Sequence, residues 1–178
     1  MLSQSGNAYL TMLVNMLIIG NARVGKSKII RHICQTWRTA YFAVCCVFKS
    51  NSILCHIRHR PSLWDVFEEG VDLPSQLQSI LDDYRVDYRV VVLDNIAVWI
   101  ANLFALKLNI YNEVDNLILA LKPIRHKIII SSEDCASCNI GNRLYSRYGR
   151  ILHSVNQQLA MISQHVYSVV FGLALRLK

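Results

Sequence analysis

Ile18-Ile19-Gly20-Asn21-Ala22-Arg23-Val24-Gly25-Lys26-Ser27 decides the fold, because the G-x-x-x-x-G-K-S spacing stands directly behind an apolar run. Leu13 to Ile19 reads as a short buried strand and Lys28 to Cys34 as the helix that follows. In that context the glycines let the backbone wrap close to a polyphosphate, and the N–H groups of the loop and helix start point at it. Lys26 is placed to reach the β- and γ-phosphates, and the Ser27 hydroxyl to hold Mg²⁺. A glycine-rich strand-to-helix turn without a ligand would need the complete spacing to arise by chance. The chain is expected to bind a nucleoside triphosphate.

At 178 residues, with 53% hydrophobic and 17% charged residues, the chain is expected to fold as a single domain over 1–178 with its own core. No apolar run reaches the roughly 18–20 residues of a membrane span. Tyr9 to Ile19 lacks a basic leader and runs into the phosphate loop, so it is read as the first strand and not as a signal peptide. The net charge of +7 invites a nucleic-acid reading, but the basic residues are scattered and no recognition motif accompanies them. No nucleic-acid partner is expected. Six cysteines without an export signal suggest a reducing cytoplasm. Cys135-Ala136-Ser137-Cys138 is a lone C-x-x-C and Cys45-Cys46 are adjacent, so idle thiols explain them better than zinc does.

Beyond the first helix, Ala40 to Phe48 fits a second strand, and Ser50 to Arg60 a loop or short helix carrying two of the histidines. Pro61 to Leu73 reads as a connection and Pro74 to Tyr84 as a helix. Arg89 to Leu93 lacks polar alternation, as a strand covered on both faces does. Ala97 to Leu108 and Glu113 to Leu121 read as helices, Lys127 to Ser131 as a strand, and Asn142 to Gln164 as a long amphipathic helix. Val166 to Phe171 and Leu173 to Leu177 form two closing strands around Gly172. Strands alternating with helices predict an α/β, P-loop nucleotide-binding fold: a mostly parallel sheet flanked by helices, RecA-like, with a short C-terminal strand pair.

Two constellations add chemistry to the loop. Val90-Val91-Val92-Leu93-Asp94 is an apolar strand ending in a carboxylate, and such an acid near a phosphate loop holds Mg²⁺ directly or through water. Ile53-Leu54-Cys55-His56-Ile57-Arg58-His59-Arg60-Pro61-Ser62-Leu63-Trp64 is followed by Glu68-Glu69 and Asp72-Leu73. A histidine among arginines can bind an anion as imidazolium, attack phosphorus as neutral imidazole, or simply be a solvated surface residue. Arg60 is a candidate phosphate contact. So are Arg143 and Arg147, which share a helix face with Arg150; a solvated basic stripe explains that face equally well.

The spacing I-x-x-H-x-x-x-R-P-x-x-W-x-x-x-E-E-x-x-D-L resembles the signature of the bifunctional adenosylcobinamide kinase / adenosylcobinamide-phosphate guanylyltransferase family. The loop Gly20 to Ser27 is similar too, with Ala22-Arg23 before the second glycine. So are Leu93-Asp94-Asn95 with Trp99-Ile100-Ala101-Asn102-Leu103, and Glu133, Asn142-Arg143-Leu144, Arg147, Asn156-Gln157, Ala160 and Lys178. The family's acidic run after the second strand is replaced here by Phe48-Lys49-Ser50-Asn51-Ser52. The resemblance implies that a nucleoside triphosphate, ATP or GTP, phosphorylates adenosylcobinamide. GTP then gives GMP to a histidine and on to that phosphate, forming adenosylcobinamide-GDP in cobalamin biosynthesis. It implies that His56 is the guanylylated residue, that Gly20, Asn21, Ala22, Arg23, Val24, Gly25, Lys26 and Ser27 bind the triphosphate, and that Glu68 and Asp94 contact the nucleotide. Mg²⁺ and a homotrimer are implied with them. A kinase that has lost guanylylation, a nucleotide-binding protein without turnover and a nucleic-acid-stimulated ATPase are the competing readings.

Overall fold

The computed structural model describes residues 14–47, 60–81, 87–134 and 143–178. Seven strands form one sheet: β1 (Val14–Ile19), β2 (Thr39–Val44), β3 (Trp64–Glu69), β4 (Val90–Asp94), β5 (Lys127–Ser132), β6 (Ser163–Val170) and β7 (Leu173–Arg176), in the order β3-β2-β4-β5-β1-β6-β7. Every pairing is parallel except β6 with β7. Five helices are described: α1 (Lys26–Cys34), α2 (Leu73–Leu81), α3 (Ile96–Ala105), α4 (Ile110–Leu121) and α5 (Arg143–Met161).

Alternation along the strands sorts the core into two layers. Leu17, Val91, Leu93, Ile128 and Ile130 pack in one cluster with Leu77 of α2, Trp99 and Ile100 of α3, Val114 of α4 and Leu152 of α5. Ile18, Tyr41, Val90, Val92 and Ile129 pack in the other with Ile30 and Cys34 of α1. Both faces are covered, which is why β4 reads as an unbroken apolar run. The chain is an α/β P-loop fold of RecA-like arrangement: β5 lies between β1, which leads into the phosphate loop, and β4, which ends in Asp94.

Most expected elements are present with shifted ends. Helix α4 starts three residues early because Asn109 caps it, its side chain accepting from Asn112 N at 3.4 Å. Strand β2 stops at Val44, four residues short of Phe48. The segment Pro61 to Leu73 is not merely a connection, for Trp64–Glu69 is the edge strand β3. Its three acids suit an edge, where polar residues discourage pairing with other chains, and they mask its strand character in the sequence. The loop expected at Ser50 to Arg60, apart from Arg60 itself, and the Cys135/Cys138 pair lie outside the described residues, and His56 with them.

Candidate functional site

The loop between β1 and α1 is built as its spacing requires. A Cβ on Gly20 would lie 2.6 Å from the Val169 carbonyl oxygen, and Gly25 holds φ at 105°, a left-handed value that favours glycine. Helix α1 therefore starts at Lys26 behind a residue with no side chain to cap it, leaving its first turn to an anion. The Lys26 ammonium spans the loop, donating to Gly20 O at 2.7 Å and Asn21 O at 2.9 Å. Burial lowers its pKa, against the opposing charges of Glu133 and Asp94.

Strand register gathers the rest of the site. Ala43 pairs with Asp94 on one side and Glu68 on the other, while Tyr41 pairs with Val92 and Val66. With a period of two, Tyr41, Ala43, Val66, Glu68 and Asp94 share the sheet face that α1 covers. Asp94 accepts hydrogen bonds from Ser27 Oγ at 2.9 Å, and from the hydroxyls of Tyr41 and Ser131. A hydroxyl and a carboxylate beside a phosphate loop are the oxygen donors that Mg²⁺ takes, the remainder of its shell coming from phosphate and water. Ser27 and Asp94 fit that ion. Among the described residues no group of three or more His, Cys, Asp or Glu is placed to hold a metal by itself.

These side chains line a cavity of about 450 Å³ that runs from Arg23, Lys26 and Ser27 past Asp94 and Glu133 to Cys45, Cys46, Arg60 and Glu68. Alternation also separates the two adjacent glutamates. Glu68 faces the cavity, whereas Glu69 Oε1 accepts from the amides of Gly70, Val71 and Asp72 and caps the turn into α2. Asn102, buried on α3, donates to Cys45 O and Gly70 O, each at 2.8 Å, and accepts from Val47 N at 3.3 Å. It ties together the chain segments that leave β2 and β3. Trp99 Nε1 adds a bond to Val71 O at 2.7 Å. At the other rim, Asn95 caps α3 through Val98 N and donates to Glu133 Oε1 at 3.1 Å, while Asn156 on α5 donates to Glu133 O at 2.9 Å.

The structure thus brings Ala22, Arg23, Gly25, Lys26, Ser27, Arg60, Glu68 and Asp94 around one cavity. Gly20, Asn21 and Val24 do not line it: the first two accept from Lys26 through their carbonyls, and Val24 packs into the core. Arg147 is elsewhere: its exposed guanidinium lies 5.7 Å from the Phe104 ring centroid and does not line the cavity. Geometry gives no support to a phosphate contact there. The Arg143 side chain lies outside the described residues. Sequence reasoning assigned no role to Tyr41, Asn95, Asn102, Ser131 or Glu133. A signal existed for two of them, since Asn102 is an amide within an apolar helix and Glu133, like Asp94, is an acid just past an apolar strand.

The family model described as cobinamide kinase / cobinamide phosphate guanyltransferase matches residues 16–177. No curated protein matches the sequence. With nearly its whole length matched, the chain belongs to the cobinamide kinase / cobinamide phosphate guanyltransferase family, whose bifunctional enzymes use nucleoside triphosphates in cobalamin biosynthesis.

Proposed function

We propose that this chain carries out both reactions of its family at the cavity described, with His56 as the group that takes up GMP. The observation that carries this reading is the contact of Ser27 with Asp94 behind a complete phosphate loop, in a cavity that also holds Arg60, four residues after His56. In the first reaction the aminopropanol hydroxyl of adenosylcobinamide attacks the γ-phosphorus of ATP or GTP, and the nucleoside diphosphate leaves. In the second, an imidazole nitrogen of His56 attacks the α-phosphorus of GTP, forming a P–N bond as the P–O bond to pyrophosphate breaks. A phosphate oxygen of adenosylcobinamide phosphate then displaces the imidazole, giving adenosylcobinamide-GDP.

Lys26 and the loop amides would hold the triphosphate, Glu68 would contact the guanine nucleotide and Arg60 a phosphate. Mg²⁺ held by Ser27 and Asp94 would neutralise charge on the phosphates. The chain would act as one domain in a cytoplasm that keeps Cys34, Cys45 and Cys46 reduced. A homotrimer would cover the exposed apolar hairpin Phe171, Leu173, Leu175 and Leu177, the first of them 93% exposed.

Incubation with α-phosphate-labelled GTP and Mg²⁺ tests the reading. Wild type should carry an acid-labile, alkali-stable label, and His56→Ala should carry none while it still phosphorylates adenosylcobinamide. No label on folded, GTP-binding wild type leaves the kinase alone. Equal loss of both activities in folded His56→Ala contradicts the division of labour.

A further inference from the structure

We propose that Tyr41 is a positioning residue that joins the two ends of the cavity, holding the Asp94 carboxylate and the Arg60 guanidinium in one hydrogen-bonded chain. This rests on the nucleotide site put forward above and deepens it. Tyr41 sits on β2 with 1% of its surface exposed, so its hydroxyl has to find partners within the protein. A guanidinium only donates, and Arg60 Nη2 donates to the Tyr41 oxygen at 2.7 Å. The phenol proton is thereby left for Asp94, which accepts it on the same carboxylate oxygen that receives the Ser27 hydroxyl. The direction of the chain, Arg60 to Tyr41 to Asp94, is fixed by what each group can donate.

The ring does a second, separable job. The Arg60 guanidinium carbon lies 3.8 Å from the Tyr41 ring centroid and 5.5 Å from that of Trp64, and the two rings stack at 5.2 Å. Trp64 is itself tied to α1 by Nε1 donating to Cys34 O at 3.1 Å. Phenylalanine at 41 would keep this platform and remove only the oxygen. Arg60 lines the cavity four residues after His56 in the sequence, and the Tyr41 oxygen links it to the acid at the metal end. Both reactions should therefore weaken together when it is removed.

The test compares wild type with Tyr41→Phe in two measurements: the Mg²⁺ midpoint for binding a fluorescent GTP analogue, and the rates of phosphorylation and GMP labelling. The midpoint should rise and both rates should fall by about tenfold to a hundredfold, the effect of deleting a hydrogen bond to a charged group. KM for GTP should change by less than about threefold, since Lys26 and the loop are untouched. Arg60→Met should shift the midpoint and rates less in the Tyr41→Phe background than in wild type. A wild-type midpoint with wild-type rates, or fully additive losses, would overturn the proposal. If wild type performs neither reaction, the functional reading falls, and the Mg²⁺ midpoint with its Arg60 cycle still decides the role of Tyr41. If Tyr41→Phe does not fold, Arg60→Met approaches the chain from its other end with β2 intact. It must then raise the midpoint, and an unchanged value overturns the proposal.

Discussion

The two walls of the cavity are made in opposite ways. The phosphate-loop wall is one contiguous stretch, Gly20 to Ser27, whose conformation follows from two glycines and whose lysine bonds to carbonyls five and six residues away. The facing wall is assembled from Tyr41, Glu68 and Asp94 on three strands, with Cys45 just past the end of β2, and is held by Asn102 from a helix behind it. A contiguous wall can lose a side chain and keep its shape. An assembled wall depends on residues that never touch the ligand.

The largest effect expected from this contrast is on Lys26→Ala. Triphosphate use in both reactions should fall by at least about a hundredfold, because a charge-assisted contact to the phosphates is lost. Tm should change by less than for Asn102→Leu, since relief of a buried ammonium offsets the loss of its bonds to Gly20 O and Asn21 O. A destabilised variant with wild-type rates would erase the distinction between the walls. Asn102→Leu should do the reverse. It strands Cys45 O, Gly70 O and Val47 N without their side-chain partner, which should cost about 2–4 kcal/mol in chemical denaturation. GTP affinity should fall while inorganic triphosphate still binds as in wild type. Equal weakening of both ligands would mean that the walls are not separable.

The same contrast explains what was legible in the sequence. The loop, its strand and the apolar β4 ending in Asp94 are local patterns, and they could be read residue by residue. Strand β3 was missed because Asp65, Glu68 and Glu69 give an edge strand the look of a connection. Tyr41 reads as one more core aromatic. Only the pairing of β2 with β4, which sets Ala43 opposite Asp94, puts its hydroxyl against the carboxylate. Asn102 was visible as part of a resemblance but not as a clamp, because its partners lie 32 and 57 residues away. The division of roles between Glu68 and Glu69 likewise follows from strand alternation, which needs β3 to be recognised first.

A smaller effect is read by pH, on the helix that follows the phosphate loop. Burial of Cys34, at the end of α1 away from the phosphate loop, raises its thiol pKa from 9.0 to about 11. The folded state thus keeps a proton that the unfolded state releases. Its contribution is complete below about pH 9 and is lost as pH rises through about 11, on the order of 2 kcal/mol. Denaturation midpoints of wild type and Cys34→Ala should therefore converge over that window. Parallel curves would show that the thiol is not shielded as described. Cys45 on the facing wall, only half-buried, should give a smaller change when replaced.

The most direct test of the central claim, that both walls serve one nucleotide, is a crystal structure with a non-hydrolysable GTP analogue and Mg²⁺. The account predicts phosphates on residues 20–27, the metal between Ser27 and Asp94, and the nucleoside against the wall that carries Glu68. A nucleotide bound to the loop with its base directed away from Cys45 and Glu68, or bound outside the loop altogether, would contradict it.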